Sequence, residues 1–184
     1  INTGYQRMLS YEVPGGGFSW FGDAPANKLL TAYGLMAFYD MSAVHHVDPA
    51  VITRTQEWLL AQAGPNGAYQ ADEAYLHQET WGRLQVEDLL PTAYVVWSLT
   101  HIGCKDPRLE RSAAYVRANW RKAKEPYTLA VVANALVGAD TVLKGGQLDA
   151  TTREALEALV AMAKTEGEQM WWTSEISGIT HSTG

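Results

Sequence analysis

Leu29-Leu30-Thr31-Ala32-Tyr33-Gly34-Leu35-Met36-Ala37-Phe38-Tyr39 and, about sixty residues on, Leu89-Leu90-Pro91-Thr92-Ala93-Tyr94-Val95-Val96-Trp97-Ser98-Leu99 decide the fold. Both are apolar around most of a helical wheel, and a helix of that kind is buried on most of its sides. Together they predict inner helices over Leu29–Val44 and Val86–Ile102, sharing Thr-Ala-Tyr at Thr31-Ala32-Tyr33 and Thr92-Ala93-Tyr94. Each is followed by a more amphipathic segment opened by Asp48-Pro49 or Asp106-Pro107. The acid serves as N-cap and the proline as a first helical residue whose missing N–H costs nothing.

A third apolar helix is predicted over Tyr127–Leu143, and a third amphipathic one from Asp149 to about Lys164. Pro14-Gly15-Gly16-Gly17 ends an opening helical stretch, Ile1 to Tyr11. An aromatic turn follows at Phe18-Ser19-Trp20-Phe21-Gly22, and Ala68-Tyr69-Gln70 repeats the pattern after Asn66-Gly67. No segment shows strand alternation. Buried helix, amphipathic helix and turn, repeated three times, is the signature of a helical-pair solenoid or of its closed form, the α/α toroid. The Gly-rich aromatic turns favour the toroid. The expected fold is therefore all-α: an incomplete α/α toroid of inner and outer helices, one partial domain over residues 1–184.

Composition agrees with one folded domain. The 184 residues are 47% hydrophobic and 18% charged, which excludes general disorder. The net charge of -6, with no basic cluster, argues against nucleic acid or an anionic membrane as partner. The single cysteine, Cys104, follows a helical stretch, can form no internal disulfide, and reads as a half-buried thiol. Neither a signal peptide nor an apolar run of about 18 residues is visible, so no membrane span is expected. The chain starts at Ile1 within predicted helix and reads as a piece of a larger protein.

Chemistry concentrates in Asp72-Glu73-Ala74-Tyr75-Leu76-His77-Gln78-Glu79-Thr80-Trp81-Gly82. His77 is either a solvated loop residue or a base or nucleophile poised near neutral pH. Glu79 could orient the imidazole if the segment is extended, and Tyr75, Leu76 and Trp81 could wall it off from water. Rival sites are thinner. His45-His46 lacks a third ligand nearby in sequence. Asp72-Glu73 and Glu87-Asp88 could be glycosidase-type carboxylate pairs or helix caps. Gly15-Gly16-Gly17 follows no strand, unlike a phosphate loop. Glu168-Gln169-Met170-Trp171-Trp172 reads as an aromatic turn packed on the end of the ring.

Read in order, the motifs resemble the thioester domain of the α2-macroglobulin and complement family. They are Gly4-Tyr5-Gln6-Arg7-x-Leu9-x-Tyr11, Gly17-Phe18-Ser19-x-Phe21-Gly22, Leu30-Thr31-Ala32-Tyr33, Trp58-Leu59, Asn66-Gly67 and Val86-Glu87-Asp88-x-x-x-Thr92-Ala93-Tyr94. Leu76-His77-Gln78-Glu79 resembles the segment that carries the catalytic histidine of complement proteins. The scarcity of cysteines points to a bacterial-type member.

The resemblance implies a protease trap or surface tag rather than a turnover enzyme, with no cofactor. It implies an α/α toroid inside a larger extracellular, periplasmic or cell-envelope protein. In the family a Cys–Gln thioester, hidden until proteolysis, acylates a nucleophile on a target protease or cell surface. The histidine attacks the thioester and directs transfer toward hydroxyls. His77 takes that role here, with Glu79 as its orienting partner. No Cys-x-Glu-Gln occurs in this chain, and Cys104 lies in Gly103-Cys104-Lys105-Asp106, so the thioester would belong to the parent outside these residues. Another inner helix should follow near Trp171-Trp172. The readings this leaves open are a non-covalent interaction scaffold and an α/α-toroid enzyme such as a prenyltransferase, terpene cyclase or polysaccharide lyase.

Overall fold

A computed structural model describes residues 2–72 and 88–173. Its helices are α1 (Asn2–Leu9), α2 (Lys28–Ser42), α3 (Pro49–Ala61), α4 (Leu89–His101), α5 (Pro107–Asn119), α6 (Pro126–Leu143) and α7 (Ala150–Ala161). The all-α expectation holds. Helix α4 packs between α2 and α6, so these three form an inner row. Each inner helix also packs against the one that follows it: α3 on α2, α5 on α4 and α7 on α6.

Burial separates the rows as the sequence pattern requires. In α4 ten residues are buried, from Leu89 to Thr100, because neighbours cover it on several sides. The outer helices bury a single stripe: Val51, Thr55 and Leu59 in α3, and Leu109, Ser112, Ala113 and Val116 in α5. Those spacings of three and four place the residues on one face. Fully burying a Leu such as Leu99 or Leu136 contributes about 2 kcal/mol. α6 is 18 residues long and apolar enough to cross a membrane by composition. Here it is an inner helix, and it holds the fully buried carboxylate of Asp140.

Local chemistry sets the helix starts. Asp48, Asp106 and Asp149 each accept a backbone N–H two residues on, from Ala50 at 2.9 Å and from Arg108 and Thr151 at 2.8 Å. Asn27 caps α2 through Leu30 N–H, and Glu125 caps α6 through Thr128 N–H.

The boundaries differ from the sequence reading in three places. α5 ends at Asn119 and tightens into a 3-10 turn, Trp120–Lys122, rather than running to Lys124. α7 stops at Ala161. After it comes a β-hairpin, β1 (Lys164–Glu166) paired antiparallel with β2 (Gln169–Trp171), where no strand was expected. Three-residue strands are too short to show alternation, and Gly167 at φ 58° closes the two-residue turn. Within the run 168–172, Gln169–Trp171 is therefore a strand rather than part of an aromatic turn. It is moored to α7 by Trp172 Nε1–H donating to the Leu159 carbonyl at 2.7 Å.

The repeated Thr-Ala-Tyr acquires a physical role. Thr31 Oγ1 accepts the Phe18 N–H at 2.8 Å and donates to the Asn27 carbonyl at 2.7 Å. Thr92 Oγ1 accepts the Tyr69 N–H at 2.8 Å and donates to the Asp88 carbonyl at 2.5 Å. One hydroxyl thus fastens each aromatic turn to the first turn of the inner helix behind it. The glycine before each aromatic lies against an outer helix. A Cβ on Gly67 (φ 84°) would stand 2.5 Å from the Arg111 carbonyl, and one on Gly16 (φ 102°) 2.9 Å from that of Arg54.

Candidate functional site

His77 and Glu79 lie outside the described residues, as do Glu73, Tyr75, Leu76, Trp81 and Glu87. The frame on either side of them is described. On the way in, Tyr69 is buried against Thr92 at the start of α4. Three residues on, the Asp72 carboxylate accepts the Lys28 N–H at 2.8 Å and pairs with the Lys28 ammonium. Lys28 is the first residue of α2. The chain therefore crosses from the N-terminal end of α4 to that of α2 before the described residues stop. It re-enters at Asp88, whose carbonyl receives the Thr92 hydroxyl. Both ends of the histidine-bearing stretch are thus tied to the N-terminal end of the inner row.

This geometry settles part of the carboxylate question. Asp72 is neutralised by Lys28 and occupied by a backbone donor, the work of a cap on a neighbouring helix rather than of a free acid. Asp88 sits at the helix start, but its side chain makes no capping bond.

Cys104 is more deeply buried than expected, at 5% exposure. Burial pushes its thiol up, against a lowering contribution from the Asp106 backbone, so it is protonated at neutral pH. It follows the C-terminal end of α4, and a 13-residue helix is about 20 Å long. Cys104 thus stands a helix length from the end where the His77 stretch is tied. A buried, protonated thiol is a poor nucleophile.

The His45-His46 pair lies beyond the C-terminal end of α2. His45 stacks edge-on against Tyr5 at 5.9 Å, and His46 is exposed. Among the described residues no group of three or more His, Cys, Asp or Glu is arranged to hold a metal.

One pairing escaped the sequence reading. His101 Nε2 meets Asp40 Oδ1 at 2.6 Å, with Tyr39 edge-on to the imidazole at 5.7 Å. The two are 61 residues apart, the same offset that relates Thr31 to Thr92, so they occupy equivalent places in successive repeats. The repeat shows the equivalence, but not that equivalent residues touch. The pair links the last turns of α2 and α4, at the end of the row away from the histidine stretch.

A neutral, mostly aromatic cleft of about 370 Å³ opens between α1 and α2, lined by Met8, Tyr11, Phe18, Trp20 and Tyr33 among others. It offers no acid, base or metal ligand.

Residues 1–182 match the family model of the A-macroglobulin TED domain, nearly the whole chain in a single alignment. With three inner–outer helix pairs in the order the sequence predicts, the chain belongs to the A-macroglobulin thioester-domain family.

Proposed function

We propose that this domain serves covalent acyl transfer in a larger α-macroglobulin-like chain, with His77 as the acyl-transfer residue. The observation that carries the reading is the family match over residues 1–182. It joins Leu76-His77-Gln78-Glu79, which resembles the histidine segment of complement proteins, to a stretch tied at both ends to the inner row. Cys104, buried and protonated, does not compete for the thioester role, and the thioester Cys and Gln belong to the parent.

The chemistry balances without a cofactor. An imidazole nitrogen of His77 attacks the thioester carbonyl carbon, the C–S bond breaks, and the electron pair leaves on the cysteine thiolate. A target hydroxyl then attacks the acyl-imidazole. Its proton passes to the thiolate, and the imidazole departs with its electrons restored. Glu79 orients the ring and balances its charge. Targets are proteases or surface nucleophiles that meet the parent outside the cell or in the envelope. The family is generally extracellular, which fits this setting.

Replacing His77 with Asn in the full-length protein tests the role. In a competition between glycerol and methylamine for the activated protein, glycerol incorporation should fall on the order of 100-fold while methylamine incorporation persists. Unchanged partition would remove His77 from the mechanism. Failure of the wild type to take up either nucleophile would favour the non-covalent scaffold.

A further inference from the structure

Helix α7 is attached differently from the other outer helices. α3 buries Val51, Thr55, Leu59 and Leu60, and α5 buries Leu109, Ser112, Ala113 and Val116. α7, of similar length, packs chiefly on α6 and buries only Thr152 and Ala155. Thr152 is there as a hydrogen-bonding residue: its hydroxyl donates to Asp140 Oδ2 at 2.6 Å and accepts from Arg117 Nη1 at 3.1 Å. The neighbouring ties are polar too. The Asp149 N–H donates to Asp140 at 2.8 Å, and the Asp149 carboxylate pairs with Arg117 at 3.1 Å and with Lys144 at 3.0 Å. Toward the other end of α7, Ala158, Leu159 and Met162 are partly covered and Val160 faces solvent. The hairpin beyond is exposed at every residue of both strands, and Trp172 ties it to α7 itself, at the Leu159 carbonyl.

Polar and apolar attachments respond differently when a helix lifts away. Separated polar groups recover their bonds with water, so each such tie adds little net resistance. Apolar side chains recover nothing from water, and they are what resists opening. A segment with few buried apolar side chains lies at the low end of local stability within a fold. We infer that α7 and the hairpin form one opening unit, detaching from α6 while α2, α4 and α6 stay folded, with the Asp140 node as its latch. Opening bares the flank of α6 that α7 covers. The domain thus carries a conformational device in its third repeat, independent of the role read for His77.

Native-state hydrogen exchange on the full-length protein tests this. Amides of residues 155–161 in α7 should exchange about 100-fold faster than those of residues 93–101 in α4. Val96→Ala weakens the inner row at a fully buried site, and should speed exchange in α4 about tenfold. It should leave the α7 rate in place, because Val96 keeps its neighbours when α7 opens. Thr152→Val removes the latch hydroxyl and keeps the shape, and should speed α7 about tenfold. In low urea the α7 rate should climb less steeply than the α4 rate, because a partial opening exposes less surface. That slope decides the matter even if Val96→Ala does not fold. Equal rates and equal urea slopes in α7 and α4, or a Val96→Ala effect shared by both, would overturn the opening unit. An α7 rate unmoved by Thr152→Val would remove the latch.

Discussion

The first two repeats of this domain are built alike and diverge at one place. In each, a glycine turn presses on an outer helix, an aromatic residue follows, and a threonine in the first turn of the inner helix takes the aromatic residue's N–H. In the first repeat, Phe18 and Thr31 are 13 residues apart; in the second, Tyr69 and Thr92 are 23 apart. The ten extra residues belong to the segment that carries His77. Repeat architectures tolerate insertions in loops on one face, because the stacked helices close the core without them. The fastening is the same in both repeats; only the spacing in the second has been lengthened.

The third repeat uses another device. Asp140 is fully buried in α6 and gathers three elements. Its carboxylate accepts from Thr152 Oγ1 at 2.6 Å, the Asp149 N–H at 2.8 Å and Arg117 Nη2 at 2.7 Å. Burial pushes the acid up, but the Thr152 hydroxyl, the Asp149 N–H and Arg117 outweigh it and hold Asp140 below the usual carboxylate range. Asp149 beside it is lowered to about 2, chiefly by Lys144 and then by the Thr151 N–H. A charged node thus does for α5, α6 and α7 what a neutral hydroxyl does in each earlier repeat.

Breaking that node should have the largest effect. Asp140→Ala takes from Arg117 one of its two carboxylate partners, Asp149 remaining at 3.1 Å, and leaves the Thr152 hydroxyl and the Asp149 N–H without their acceptor, costing about 3 kcal/mol in urea unfolding. The pH dependence has a definite sign. A depressed folded value means the stabilisation is complete above the unfolded value of about 4. It is then lost as pH falls through the folded values, toward about 2 for Asp149. Wild-type stability should drop between pH 5 and pH 2.5, and Asp140→Asn should flatten that slope. An equal slope in the variant would place the acid sensitivity elsewhere.

The glycine turns come next. Gly67→Ala forces a side chain into a left-handed conformation and against the Arg111 carbonyl, for about 3 kcal/mol. Gly16→Ala meets Arg54 less closely and should cost about 2 kcal/mol. Reversal of that order in thermal melts would mean the two turns are not seated alike.

The threonine clamps give the smallest change and the sharpest contrast. Thr31→Val and Thr92→Val each leave a buried N–H without its acceptor, at about 1 kcal/mol apiece in chemical denaturation. On the role proposed for His77, only Thr92→Val in the full-length protein should also alter the glycerol–methylamine partition, because only the second clamp brackets in sequence the residues that carry His77. Matching effects from both would tie that partition to stability alone.

Much of this was legible before any coordinates. The Asp-Pro openings placed α3 and α5 within a residue, because an N-cap and its helix are local in sequence. The apolar runs marked the inner row, because burial on many sides needs apolar residues on many sides. Other features were not readable. Asp140 looked like one acid in an apolar helix until Arg117 and Thr152 closed on it from other helices. His101 and Asp40 shared a repeat position without any sign that they meet. The hairpin over 164–171 was too short for a periodic signal.

The sequence by itself determined the alternation of inner and outer helices, their caps, the doubled Thr-Ala-Tyr and the histidine motif. Each of these rests on neighbours three or four residues away or on identity with a family pattern. Only the tertiary structure decided that the threonine holds the turn before its helix, and that Asp72 is bound to the start of α2. It alone showed that Cys104 is sealed in the core. Those outcomes depend on partners tens of residues distant, and such partners meet only when packing the apolar faces has brought their helices together.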